Sequence, residues 1–272
     1  MRLERLPLDL AIRSSSHAVF GFPAADGGDG AAAPLAVLSL RESGSMLFRH
    51  GAANKARDAF FASLGVARER VAALELIHSR DVLWPERISE LDGKSADGIV
   101  VRDRSFVPSV TVADCMPIWL FHGKSGAFGV LHSGWKGTGI LARAVDDFRT
   151  RLGAAARELS VILGPAIGPC CYAVDEGRAR SFASEYGSAS GYRAQDGTWR
   201  VDLVEANLEI ARREGVGALL VVDACTSCDK RLGSNRREGA RGTKDANGAT
   251  GGPPAFTRML ACAGYFPALE AS

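Results

Sequence analysis

Short apolar runs recur along the chain and alternate with longer segments of helical periodicity. Ala18 to Phe20, Leu35 to Leu40, Ile99 to Val101, Leu159 to Leu163 and Leu219 to Asp223 are too short for helices and are rich in branched or aromatic residues, so each predicts a strand. Val71 to Ile77 predicts another strand, one that delivers His78 at its end. Asn54 to Leu64 predicts a helix with Phe60, Phe61 and Leu64 on one side and Gly65 behind it. Leu141, Ala144, Val145, Phe148 and Leu152 recur at helical spacing, with Thr138 as a candidate cap. Asp175 to Tyr186 and Asp202 to Glu214 predict two more helices, each opening on an aspartate that can accept from the first turn, the second closed by Gly215. Ala255 to Phe266 is a closing strand or short helix. Strands and helices interleave, which predicts an α/β (or α+β) fold with a mixed central sheet flanked by helices. Two stretches carry no such pattern, around 24–33 and 229–254, and are expected to be mobile loops on a single domain spanning 1–272.

Thr111 to Gly139 is the densest stretch. Pro117 to Phe121 and Ala127 to Leu131 predict two buried strands, with Gly123 and Lys124 between them fitting a tight hairpin turn. A turn centred there sets Cys115 directly opposite His132, at the ~4.5 to 5.5 Å Cα spacing of antiparallel pairs. A thiolate and an imidazole so placed can share one metal ion, although both are also ordinary residues of a buried strand. Pro117 cannot donate to a ladder and opens the alternative of a bulge that shifts the register. After the second strand, Ser133 to Gly139 forms a glycine-rich approach to a helix. Its backbone N–H groups and Lys136 suit an anion, and the same glycines equally suit a plain tight turn.

Composition narrows the class. The chain has 272 residues, 46% of them hydrophobic, enough for a full core, and its formal net charge of +2 gives no reason to expect a nucleic-acid surface. No apolar run approaches the ~18 residues of a membrane span, and the N-terminus lacks a signal-peptide core, so a cytoplasmic protein is expected. The six cysteines are sparse, and the adjacent pair Cys170-Cys171 is awkward for a disulfide framework. Cys225-Thr-Ser-Cys228 has zinc or redox spacing, but no second pair follows it, so unpaired thiols are expected.

Taken together, the strand-ending His78, Asp-Gly-Ile-Val at Asp97 to Val100, Thr-Val-Ala-Asp-Cys-Met-Pro at Thr111 to Pro117, His-Ser-Gly-Trp-Lys-Gly-Thr at His132 to Thr138, Gly-Pro-Ala-Ile-Gly-Pro-Cys-Cys-Tyr at Gly164 to Tyr172, and Asp202, Leu203 and Asn207 form an ordered series. In these motifs the chain resembles the laccase-like multicopper polyphenol oxidase family, also described as the purine nucleoside phosphorylase family of laccase domain-containing protein 1 and its bacterial relatives. The resemblance implies a metal held by His78, Cys115 and His132. It also implies zinc, with copper as the alternative, since relatives were first described as copper-dependent polyphenol oxidases. The implied activity is phosphorolysis of purine nucleosides of the adenosine, inosine, guanosine and methylthioadenosine class to base and pentose 1-phosphate, together with adenosine deamination. One bacterial member is linked to editing of peptidoglycan precursors, and a non-catalytic metal-binding module is a further alternative.

Phosphorolysis also needs cations around phosphate. Lys136, Arg236 and Arg237 are the candidates, with Ser133 and Gly134 offering the anion-binding turn. Asp114, beside a ligand, is expected either to orient His132, to act as an acid or base, or simply to cap a turn. The Gly164 to Tyr172 loop and the Ser133 to Gly139 turn are expected to close the pocket. The partners implied are purine nucleosides and phosphate, without nucleic acid or membrane, on a monomer or weak homo-oligomer. Where relatives show Ser-Tyr-Arg-Arg followed shortly by Thr-Gly-Arg, this chain has Ser234, Asn235, Arg236 and Arg237 and then, after a long insert, Thr250, Gly251 and Gly252. Arg241 or Lys244 of the insert could replace the missing cation.

Overall fold

A computed structural model describes residues 1–26, 32–239 and 256–270. The strands are β1 (Arg2–Pro7), β2 (His17–Gly21), β3 (Leu35–Ser39), β4 (Val71–Ala73), β5 (Val82–Leu83), β6 (Gly98–Val101), β7 (Val107–Val112), β8 (Met116–His122), β9 (Ala127–Ser133), β10 (Leu159–Leu163), β11 (Gly191–Arg193), β12 (Trp199–Val201), β13 (Ala218–Asp223) and β14 (Met259–Gly264). The helices are α1 (Lys55–Ser63), α2 (Ile140–Leu152), α3 (Glu176–Tyr186), α4 (Leu203–Glu214), α5 (Asn235–Gly239) and α6 (Pro267–Glu270).

The mixed α/β architecture with flanking helices is as expected, but the sheet is doubled. Seven strands lie in the order β1-β13-β10-β8-β9-β6-β5 and five in the order β2-β3-β14-β7-β4. Alternation along β8 explains the stacking. Met116, Ile118 and Leu120 face a core shared with α2, α3 and α4, whereas Trp119 and Phe121 face Phe20, Leu38, Val110 and Ala261 of the second sheet. Trp119 is fully buried there and donates its indole N–H to the Cys262 carbonyl at 2.9 Å. A third core, with Phe60, Phe61 and Leu64, seals the outer face of the five-stranded sheet under α1. The layers therefore run helix, sheet, sheet, helix.

Helix termini follow local chemistry. Asn54, Asp175 and Asp202 accept from backbone N–H groups in the first turns of α1, α3 and α4. Thr138 does not cap α2. Gly139 holds the N-cap with φ 109°, and the Thr138 hydroxyl instead donates back to the Gly134 carbonyl at 2.8 Å. Within the expected structureless stretch 229–254, Asn235–Gly239 is helical, and the remainder from 240, like 27–31 of the stretch 24–33, lies outside the described residues. Among the described residues no helix is long and apolar enough to cross a membrane.

The hairpin register departs from expectation. The β8–β9 connection takes four residues, Gly123 to Gly126, because Gly126 supplies the positive φ (71°) and its N–H bonds to the His122 carbonyl at 2.9 Å. The pairing moves accordingly, and Pro117, not Cys115, stands opposite His132. Pro117 is tolerated because its missing donor points toward β10, where the ladder ends at Leu163. Beyond that point the Pro117 carbonyl still accepts from Gly164 at 2.9 Å.

Candidate metal centre and pocket

Three loops converge at the open end of this hairpin. Cys115 directly precedes β8, His132 is the penultimate residue of β9, and His78 comes not from a strand end but from an irregular segment, since β4 stops at Ala73. Although His132 pairs with Pro117, the ligating atoms of His78, Cys115 and His132 all lie within 4.8 Å of one another. His78 and Asp114 are the only non-glycine residues with positive φ among those described, at 60° and 81°. Left-handed backbone costs roughly 1 to 2 kcal/mol per residue, and here it occurs at one ligand and immediately before another.

Asp97 holds the arrangement. Fully buried, its carboxylate accepts from the backbone N–H groups of His78 (2.9 Å) and Ser79 (2.6 Å), from the Ser79 hydroxyl (2.8 Å) and from His132 Nδ1 (2.8 Å). Burial alone would raise its pKa, but the hydrogen bonds from His132 and Ser79 outweigh burial and keep it below the ordinary carboxylate value. A proton held on His132 Nδ1 by Asp97 leaves Nε2 as the free donor for a metal. Burial likewise opposes a thiolate at Cys115. The adjacent His132 charge and hydrogen bonds from His132 and His78 prevail, bringing the thiol pKa down to about 6, while His132 is pushed upward by Cys115 and Asp97. The pair therefore rests as a thiolate beside a protonated imidazole; the thiolate is the form that binds a metal, and the His132 proton would have to leave as an ion takes its place.

Gly134 is part of this packing. A Cβ on it would stand 2.6 Å from Cys115 Sγ and 3.4 Å from the His78 ring, so only glycine lets the β9–α2 turn close on the ligands. The three side chains open into a cavity of about 270 Å³ whose walls include Phe48, Arg49, Leu76, Asn235, Phe256 and Arg258.

The remaining expected residues are distributed unevenly. Orientation of His132 falls to Asp97, not Asp114, because Asp114 points the other way: its oxygens accept from the Thr226 hydroxyl and the Arg236 N–H, both at 2.6 Å. The Arg237 guanidinium is turned inward onto the carbonyls of Thr226, Ser227, Asp229 and Leu232, which fixes that turn and leaves it away from the cavity. Arg236 is exposed, donating to the Ala173 carbonyl and lying 5.6 Å over the Tyr172 ring. Lys136 is exposed above Trp135, and the Ser133 hydroxyl is buried without a protein partner. The Gly164–Tyr172 loop does not line the cavity; Ile167 donates to the Asp114 carbonyl, so the loop braces the site from behind. Sequence reading missed the two cavity cations, Arg49 and Arg258, which come from opposite ends of the chain. Burial first, and then the charge of Arg49, lowers the pKa of Arg258. Arg49 is paired with Glu75 at 3.7 Å and Arg258 lies 3.9 Å over the Phe256 ring, so the cavity wall carries two guanidiniums, one of them already beside a carboxylate.

The fold and the site define a class: an α/β protein with a two-histidine, one-cysteine metal cradle, the donor number of a catalytic centre with an open position rather than of a closed structural one. The chain belongs to the family described as multi-copper polyphenol oxidoreductase laccase, whose sequence model matches residues 49–246. Purine nucleoside phosphorylase YlmD of Geobacillus stearothermophilus is 32% identical over 194 residues, 64% of this chain and 69% of that protein. Adenosine deaminase RL5, from an unknown prokaryotic organism, is 29% identical over 185 residues, 63% of this chain and 67% of that protein. The crystal structure of YlmD from Geobacillus stearothermophilus matches with a TM-score of 0.72 and 26% identity, covering 90% of this chain and 98% of that one.

Proposed function

We propose that this chain is a zinc-dependent purine nucleoside phosphorylase with adenosine deaminase side activity. The observation that carries the reading is the His78–Cys115–His132 cradle opening into a cavity whose wall bears Arg49 and Arg258. The donor set suits zinc: ligand atoms within 4.8 Å need only small side-chain movements to reach Zn–N near ~2.0 Å and Zn–S near ~2.3 Å. When bound, zinc supplies Lewis-acid activation at its open position. Asp97 fixes the His132 tautomer, and Asp114 positions Cys115 by anchoring the Thr226 and Arg236 segments.

Phe48 and Phe256 offer apolar faces to a purine. Arg49 and Arg258 hold phosphate beside the sugar, in the role that the sequence suggested for Arg236, Arg237 and Lys136. A phosphate oxygen forms its bond to the anomeric carbon as the glycosidic C–N bond breaks. The base leaves with the electron pair and takes up a proton, and pentose 1-phosphate is the other product. Deamination requires only base, water and the metal centre, without the arginines.

Multi-copper oxidation fits poorly. The whole chain has five histidines. His17 bonds to Ser14 and Ser16, His50 to the Lys94 carbonyl, and His122 to Ser125 and Glu158, leaving two for a metal. One such site gives no route to four-electron oxygen reduction. Chromatography of products from adenosine and inosine, with and without phosphate, tests the proposal. Adenine, hypoxanthine and ribose 1-phosphate appearing only with phosphate support phosphorolysis; inosine alone from adenosine would leave only the deaminase; no product would end the enzyme reading.

A further inference from the structure

A second thiol cluster lies outside the cavity. β10 and β13 are parallel neighbours, so the loops leaving their C-terminal ends run side by side and are joined by a bridge between Ala166 and Cys225. Cys170 and Cys171 sit on the first loop and Cys225 and Cys228 on the second. All four sulfurs lie within 4.8 Å of one another. The second pair that the Cys225–Cys228 spacing lacks downstream is thus supplied from upstream, by the adjacent cysteines. None of the four is in a disulfide.

The spacing is that of a coordination sphere. Four sulfurs at ~2.3 Å from one ion define a tetrahedron with edges of about 3.8 Å. Cys228 Sγ lies 3.7 Å from Cys170 Sγ and 3.4 Å from Cys171 Sγ, far beyond the ~2.05 Å of a bond. Four thiols this close cannot all ionise without a cation among them, because like charges oppose one another. The surrounding backbone is arranged for thiolates. The Gly168 N–H donates to Cys225 Sγ at 3.2 Å, and a side chain at that glycine would meet the Cys170 and Cys225 sulfurs at 3.3 and 3.5 Å. Arg200 holds the first loop by donating to the carbonyls of Pro169 and Cys170, both at 2.8 Å.

We propose that Cys170, Cys171, Cys225 and Cys228 form a tetrathiolate site for a structural zinc ion, independent of the His78–Cys115–His132 centre. Its place in the fold gives it a task. Thr226, inside the Cys225–Cys228 turn, is the residue whose hydroxyl donates to Asp114, the neighbour of Cys115. The ion would knot two loops that otherwise share only a few backbone hydrogen bonds, and would so brace the segment entering β8.

Cobalt(II) titration of the reduced Cys115→Ala protein tests this, because that variant removes the only thiolate of the other site. The expected result is a sulfur-to-cobalt charge-transfer band that saturates at one equivalent and is bleached by zinc, with zinc also protecting the four thiols from Ellman's reagent. The band should vanish when Cys225→Ser and Cys228→Ser are added. No band in Cys115→Ala, thiols equally reactive with and without zinc, or a band that survives the added substitutions would each overturn the proposal. A Cys171–Cys228 disulfide whose reduction still yields no cobalt uptake would assign the cluster to redox chemistry instead. Because Cys115→Ala lacks the proposed catalytic centre, failure here leaves the phosphorylase reading untouched, and the reverse also holds.

Discussion

Replacing Asp97 with asparagine changes one oxygen into an NH2 group and leaves the shape almost intact. Oδ1 accepts from the His78 N–H and His132 Nδ1, and Oδ2 accepts from the Ser79 N–H and hydroxyl and, at 3.3 Å, from the Ile77 N–H. Whichever end carries the NH2 group, at least two donors lose their acceptor and face another donor. Hydrogen bonds to a charged group contribute roughly 1.5 to 3 kcal/mol each, so losing two sets a ceiling of about 3 to 6 kcal/mol. Ser79 is only half-buried and His78 is exposed. Water therefore recovers part of the loss, and a destabilisation near ~3 kcal/mol is expected. The metal should suffer as well, because ligand-orienting partners of this type are typically worth 10- to 100-fold in affinity. Zinc competition against a chromophoric chelator measures the second effect, and urea unfolding of the metal-free protein the first. Unchanged zinc affinity in Asp97→Asn would refute the orienting role, and an unchanged unfolding midpoint would refute the hydrogen-bond argument.

Gly134→Ala should abolish metal retention at the cradle while leaving the sheets folded, since its Cβ would intrude on Cys115 Sγ at 2.6 Å; circular dichroism and metal analysis together read this out. Arg258→Ala should raise the phosphate KM at least tenfold if it removes a charge-assisted bond of about 1.5 kcal/mol or more, whereas Arg237→Ala should act on stability through the turn that it clamps; steady-state kinetics separates the two. On the acid side, Asp97 has a folded pKa below its unfolded value of 3.8. Its contribution to stability is present above pH 3.8 and is lost as the pH falls through the lower folded value, because the unfolded chain takes up the proton first. Asp97→Asn should therefore flatten the acid end of a stability profile measured by urea unfolding at several pH values.

Much of the frame was legible in the sequence because it is local. The strands β8, β9, β10 and β13 and the helices α2 and α4 carry their own periodicity, and their bounds fall within a residue or two of expectation. What depended on long-range pairing was not. β1 alternates charges like an exposed tail and becomes a strand only through parallel pairing with β13, and β7 is interrupted by Pro108 and Ser109. The register expected from a two-residue turn is off by two residues, from Cys115 to Pro117 opposite His132; the site survives because Cys115 lies in the loop at the same end of the hairpin. Asp97 shows no local sign of its role, since nothing in the sequence reveals that its side chain collects donors from residues 77–79. Arg49, Arg258 and the four-thiol cluster each join segments far apart in sequence, which spacing rules cannot bring together.

Phosphate-dependent release of adenine from adenosine, measured with metal-stripped and zinc-reloaded protein in the wild type and in Cys115→Ala, tests the central claim most directly. The account predicts that stripping abolishes release, that zinc restores it in the wild type, and that Cys115→Ala stays inactive after reloading. Wild-type release by reloaded Cys115→Ala, or by stripped wild-type protein, would contradict it.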